Sequence, residues 1–108
     1  PDKVKQLLDV IVENNNRYIQ RLIDLGVGIG FADPVSSTSL LSVEQYKEFS
    51  LPYFKKNVDF IKSQGRGCGL HICGGSRPLW ELLIETGIGT FGPDNVEDME
   101  EAKNILGP

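Results

Sequence analysis

The amino-acid sequence predicts an α/β fold in which about three short parallel strands alternate with amphipathic helices. Short apolar runs alternate with longer segments whose apolar residues recur every three or four positions. Glycines stand where those helices are expected to end. The 108 residues are 40% hydrophobic and 24% charged, an ordinary composition for one folded domain.

The chain is predicted to begin with a long helix from Asp2 to about residue 25, with Gly26 as its stop. One apolar face is expected to consist of Leu7, Leu8, Ile11, Val12, Tyr18, Ile19, Leu22 and Ile23. A first strand is predicted at 27–31, and the polar segment 32–41 is predicted to be a loop.

A pair of helices follows this loop. Ser42 and Gln45 form a capping-box pattern for a helix at 43–49. Pro52 suits the first turn of the next helix, which is expected to run to about residue 64.

The second half repeats the strand and helix alternation. A strand is predicted at 68–73, a helix capped by Ser76 and reaching about residue 86, and a third strand at 88–91. A last helix is expected at 96–106, capped by Asp94 or Asn95.

This order implies a parallel sheet, although three strands do not by themselves distinguish a barrel from a doubly wound sheet. In parallel α/β folds, ligands bind outside the carboxyl ends of the strands. Those ends are expected at 32–34, 73–77 and 92–95, which hold the least generic residues of the chain.

Composition argues against several classes of protein. A net charge of −4 without a basic run disfavours nucleic acid and an anionic membrane surface. No apolar run approaches the roughly 20 residues of a membrane helix, and the first residues do not resemble a secretory signal. A cytoplasmic location is therefore expected. Because the chain starts at Pro1 and stops at Pro108, we expect it to be part of a longer protein.

The best candidate site is a His-x-Cys pair. His71 and Cys73 lie two apart on a predicted strand, so their side chains share a face, and imidazole and thiolate are good zinc ligands. The alternative is a core histidine beside a small apolar cysteine. Cys68 lies at an odd offset from both, so it points to the opposite face, and we expect both cysteines to be reduced.

Three other segments carry candidate substrate-binding or catalytic groups. Gly74, Gly75, Ser76 and Arg77 suit an anion cradle before a helix, or else a tight glycine turn with a solvated arginine. Asp94 and Asn95 are helix caps that border the same edge.

Asp33 is a candidate catalytic base, ligand or substrate contact, with an Asx-type turn as the alternative. Ser36 and Ser37, in the run of hydroxyl residues at 36–39, either contact polar substrate groups or belong to a solvated loop.

These residues, taken in order, resemble a known family. The elements are Ala32-Asp33-Pro34, the Ser/Thr-rich loop, Leu41-Ser42 with Gln45-Tyr46 and Phe49, Leu51-Pro52-Tyr53, Leu70-His71-Ile72-Cys73-Gly74, and the segment from Asp94 to Gly107. They resemble the uroporphyrinogen decarboxylase superfamily, in particular its corrinoid-dependent methyltransferase branch. The resemblance covers nearly the whole chain and implies part of a (β/α)₈ TIM barrel.

The resemblance also implies roles. In the methyltransferase branch a His-x-Cys pair binds zinc with a second cysteine far downstream, so His71 and Cys73 would be two ligands and the third would lie beyond Pro108. The implied activity is methyl transfer between a corrinoid carried on a partner protein and a small thiol or methylated substrate. Two alternatives remain: a uroporphyrinogen decarboxylase of porphyrin biosynthesis, which would lack the His-x-Cys pair, or an inactive truncated domain that self-associates through exposed edges.

Overall fold

The computed structural model describes residues 2–33 and 36–107, which form a three-stranded parallel sheet with helices along the chain. The elements are α1 (Asp2–Asp24), β1 (Ile29–Asp33), α2 (Val43–Phe49), α3 (Leu51–Ser63), β2 (Cys68–Ile72), α4 (Trp80–Thr86), β3 (Thr90–Pro93) and α5 (Met99–Leu106), with a 3₁₀ turn at Arg77–Leu79. The predicted element order and fold class are confirmed. Positions 34 and 35 of the predicted loop lie outside the described residues, as do the two terminal prolines.

The strands are arranged in chain order, β1-β2-β3, and every neighbouring pair is parallel. This sequential order is that of consecutive strands in a (β/α)₈ barrel. In the register, Ala32 pairs with His71, and His71 pairs with Gly92. All three strands therefore end at the same edge of the sheet, as the sequence predicts.

Helices cover one face of the sheet. Cys68, Leu70 and Ile72 are buried at 7%, 5% and 0% exposure, whereas the residues between them are only half-buried. This alternation confirms the predicted strand parity. The main core cluster consists of Tyr46, Leu70, Ile72, Leu79, Trp80, Leu83 and Ala102.

Helix α1 packs through only part of its predicted apolar face. Val12 and Ile19 are buried against the rest of the molecule. Leu7 and Tyr18 remain 59% and 65% exposed. No helix among the described residues is both long and apolar enough to cross a bilayer.

The predicted start of β1 is wrong by two residues, because Val27 belongs to the structure that ends α1. Gly26 has φ +73° and its N–H donates to Ile23 O, while Val27 N–H donates to Leu22 O over 3.0 Å. This is a Schellman arrangement, which holds Val27 against the helix end. The strand therefore begins at Ile29 and includes Asp33.

The predicted N-cap of α5 is also wrong, whereas Ser76 stands at the predicted N-cap position, before the 3₁₀ turn, without a capping side-chain bond. Helix α5 begins at Met99, and its N-cap is Asp98, whose Oδ1 accepts from Glu100 N at 2.9 Å and Glu101 N at 3.1 Å. Ser76 makes no capping bond, since its hydroxyl accepts from the Trp80 indole. The third strand likewise starts later than predicted, at Thr90.

Other local predictions are confirmed. Ser42 Oγ accepts from Gln45 N, and the Gln45 side chain accepts from Ser42 N, which completes the capping box of α2. Cys68 and Cys73 are both free thiols.

Candidate metal centre and the loops around it

His71 lies on the face of β2 that the helices leave open. Its Nδ1 is 2.5 Å from the carbonyl oxygen of Gly92, the register partner on β3. A carbonyl only accepts, so Nδ1 carries the proton and donates it. In the neutral ring, Nε2 therefore presents a lone pair, which is the arrangement of a metal-binding histidine held by an outer partner.

Cys73 follows the last residue of β2 and is exposed. Its Sγ lies 3.3 Å from His71 Nε2. A tetrahedral zinc bound at about 2.0 Å to nitrogen and about 2.3 Å to sulfur requires those two atoms to be ~3.5 Å apart. The pair therefore fits a zinc ion with little adjustment.

The described residues supply only these two candidate ligands. No group of three or more His, Cys, Asp or Glu side chains within 2–33 and 36–107 is arranged to hold a metal ion. Cys68 is buried on the helix-covered face, and this burial raises the pKa of its thiol. It is therefore not the missing partner, as strand parity predicts.

Asp94 contacts the turn that follows Cys73. Its Oδ2 accepts from Gly74 N at 2.6 Å, and its Oδ1 accepts from Asn95 N at 2.6 Å. These two backbone hydrogen bonds, of which the one from Gly74 has the larger effect, lower the pKa of the Asp94 carboxyl. The nearby His71 lowers the pKa of this carboxyl further. The carboxylate is therefore ionised near neutral pH.

The predicted anion cradle is filled by carboxylates of the chain itself. Glu97 Oε1 accepts from the backbone N–H of Ser76 and, at 3.2 Å, from that of Arg77. The Arg77 guanidinium pairs with Glu101, with Nε 2.6 Å from Oε1. The Arg77 side chain is exposed, as in the alternative of a solvated arginine, but it is ion-paired with Glu101.

The first half of the hydroxyl-rich run is packed rather than solvated, whereas Ser39 is exposed. Ser36 and Ser37 are 4% and 2% exposed. The Ser36 hydroxyl is 3.1 Å from that of Ser50. Thr38 bonds the glycine turn through its N–H and its hydroxyl, 2.7 Å and 3.0 Å from Gly75 O.

Asp33 is the last residue of β1 and pairs with Ile72, so strand parity places it on the helix-covered side. Its Oδ1 accepts from Ser36 N at 3.1 Å, which is the Asx-type turn given above as the alternative. The pKa of the Tyr46 hydroxyl is raised, mainly because this side chain is buried and, to a smaller extent, because the negative charge of Asp33 disfavours its ionisation.

The structure thus brings His71, Cys73, Gly74 and Asp94 together, and it places Asp33 on the opposite, helix-covered side of the sheet. The catalytic role of Asp33 and the substrate-binding roles of Ser36, Ser37, Gly74, Gly75, Ser76, Arg77 and Asp94 stay predictions. Sequence reasoning missed the carbonyl of Gly92 because a backbone acceptor has no residue-type signal. It also missed the Thr38 contacts, which depend on the meeting of two loops.

Fold and site together define the class: an α/β protein whose strand-end edge carries a His and Cys pair suited to zinc. The family model described as Uroporphyrinogen decarboxylase (URO-D) matches residues 1–108. The chain therefore belongs to the uroporphyrinogen decarboxylase family, which confirms the resemblance.

Curated relatives include both activities of the superfamily. The methylcobamide:CoM methyltransferase MtbA of Methanosarcina acetivorans is 33% identical over 100 residues, 92% of this chain and 30% of that protein. The uroporphyrinogen decarboxylase of Hydrogenovibrio crunogenus is 30% identical over 113 residues, 99% of this chain and 31% of that protein. The chain thus spans about 30% of the length of these relatives.

One solved structure is similar in fold. A methyltransferase from Methanosarcina mazei superposes with a TM-score of 0.81 at 24% identity, over 94% of this chain and 30% of that one. This agreement supports the assignment of the three strands to part of a barrel.

Proposed function

We propose that this chain belongs to a zinc- and corrinoid-dependent methyltransferase, in which His71 and Cys73 hold the zinc ion. The observation that carries the proposal is the 3.3 Å approach of Cys73 Sγ to His71 Nε2, with Nδ1 bonded to Gly92 O. A third ligand would come from outside the described residues. The likeness to the methylcobamide:CoM methyltransferase MtbA supports the same activity.

The protein's contribution is position and electrostatics. Zinc, when bound, lowers the pKa of a coordinated thiol so that the thiolate is present at neutral pH. His71 and Cys73 hold the ion at the open edge of the sheet, and Gly92 O selects the tautomer of His71. A corrinoid on a partner protein would supply or receive the methyl group, with a small thiol or methylated compound as the other reactant.

This proposal is tested by measuring the zinc content of the whole protein and its transfer of a methyl group from methylcobamide to a thiol. We expect Cys73→Ser and His71→Ala to lose bound zinc and methyl transfer, because each removes a ligand. Cys68→Ser is the matched control, since Cys68 is buried on the other face, and it should retain both. Stoichiometric zinc in Cys73→Ser would refute the assignment.

The second candidate is a uroporphyrinogen decarboxylase, which the 30% identity to the Hydrogenovibrio crunogenus protein favours. Release of carbon dioxide from uroporphyrinogen, with the same rate in Cys73→Ser as in the parent, would select it. Under the methyltransferase proposal no such release is expected. The cytoplasmic location stays a prediction from composition.

A further inference from the structure

We propose that Thr38 and Asp94 are positioning residues that hold Cys73 beside His71 by fixing the turn between Cys73 and Ser76. This inference rests on the metal centre proposed above. It concerns the hydrogen bonds by which these two residues hold the backbone after Cys73.

Cys73 needs support from outside its own strand. Strand β2 ends at Ile72, so Cys73 lies at the margin of the sheet, and its side chain is exposed. Among the described residues, the hydrogen-bonding contact of its sulfur is His71 Nε2. The direction of the Sγ therefore depends on the backbone that leads into the turn.

Asp94 fixes that backbone from the β3 side. The Gly74 N–H that it binds, at 2.6 Å, belongs to the peptide plane that follows Cys73. Holding this plane in place relative to β2 restrains φ and ψ of Cys73 together, and φ sets the direction of its Cβ relative to the strand. Because Gly92 O lies on β3, the strand that leads directly to Asp94, both metal-binding side chains take their orientation from β3 and the residues at its end.

Thr38 fixes the turn from the β1 side. Its N–H and its hydroxyl both donate to Gly75 O, at 2.7 Å and 3.0 Å. The approach is close, since a Cβ on Gly75 would lie 3.1 Å from Thr38 Oγ1. Loops from both neighbouring strands thus hold the turn, which leaves Cys73 preorganised rather than mobile.

The test is binding of Co²⁺, used as the probe in place of zinc, to the whole metal-free protein. Affinity is measured by chelator competition, together with the absorption band that a thiolate ligand gives to bound Co²⁺. We expect Asp94→Ala and Thr38→Val each to weaken binding by ~10-fold or more and to reduce the thiolate band. Thr38→Ser keeps the hydroxyl and should bind as the parent does.

Control variants distinguish a positioning role of Asp94 and Thr38 from a general loss of protein stability. Glu100→Ala removes a charge from exposed α5 without touching the turn, and it should leave affinity and spectrum unchanged. Asp94→Asn is the milder variant if Asp94→Ala does not fold, and it should give a smaller loss because a neutral amide accepts a weaker bond. The urea midpoint of every variant confirms that it is folded.

Two outcomes overturn the inference. The first is that folded Asp94→Ala and Thr38→Val bind Co²⁺ within twofold of the parent. The second is that Thr38→Ser loses as much affinity as Thr38→Val, which would assign the effect to packing. If instead the parent shows no thiolate band, or Cys73→Ser keeps the parent's affinity and the full intensity of the band, the metal centre itself is refuted, so the two failures are distinguishable.

Discussion

Gly74 combines two constraints at the point where the chain leaves Cys73. Its φ of +77° lies in the left-handed region, which residues with a Cβ rarely adopt. A Cβ at this position would also lie 3.3 Å from Ser37 Oγ and 3.4 Å from Ser37 Cβ. The turn therefore requires glycine for its backbone and for its contact with the β1 loop.

Gly74→Ala should destabilise the protein more than Gly26→Ala does. Gly26 has nearly the same φ, +73°, but open space where its Cβ would be, so its substitution measures the backbone cost alone, about 1 kcal/mol. At Gly74 the crowding against Ser37 adds to that cost. Urea unfolding of the two variants checks the difference, and equal losses in the free energy of unfolding would contradict the role given to Ser37.

The pairing of His71 with Cys73 was predictable at the level of single residues because strand parity depends only on spacing. The exclusion of Cys68 follows from the same rule. The parity of Asp33 does not follow from the sequence, because the predicted β1 ends at position 31 and puts Asp33 in a loop, whereas the observed strand includes it. An error in one strand boundary thus changed the expected face of a candidate catalytic residue.

Among the helices and strands, existence and order were easier to predict than ends. Helix α2 has the predicted bounds because its capping box, Ser42 and Gln45, is local in sequence. Helix α5 begins later than expected because Asp94 is engaged by Gly74 N from another loop and Glu97 by Ser76 N. With these tertiary contacts, α5 begins at Met99, three residues after the predicted start at position 96.

The N-cap of α5 supplies a direct test of this correction. Asp98→Ala should lower the free energy of unfolding by about 1 kcal/mol, because its carboxylate accepts from Glu100 N and Glu101 N. Asn95→Ala should change stability little, since the exposed Asn95 does not cap the helix. Thermal or urea unfolding measures both. A larger loss of unfolding free energy for Asn95→Ala than for Asp98→Ala would instead support Asn95 as the N-cap, as the sequence predicts.

Across the whole molecule, topology explains why the site lies where it does. Three parallel strands in chain order bring the segments after β1, β2 and β3 to one edge. The sequence predicts this edge and the candidates on it. It does not predict that the outer loops bind the central one, with Thr38 on Gly75 and Asp94 on Gly74, because those contacts join residues distant in sequence.

The described residues also expose surfaces that a complete barrel would cover. Strands β1 and β3 are the edges of the sheet, and each has a partner on one side only within the described residues. Several large apolar side chains of α1 are at least 42% exposed, namely Val4, Leu7, Val10, Ile11 and Tyr18. Open strand edges and contiguous apolar surface both favour association with another chain.

We therefore expect the 108-residue chain, expressed alone, to sediment as a dimer or larger species at micromolar concentration. Leu7→Lys and Tyr18→Lys place charges on the exposed side of α1, so together they should shift the distribution toward monomer while leaving helix content unchanged. Arg17→Lys, at an exposed site of the same helix, is the control and should associate like the parent. A parent chain that sediments as a monomer would show that the exposed edges and the face of α1 are tolerated in water.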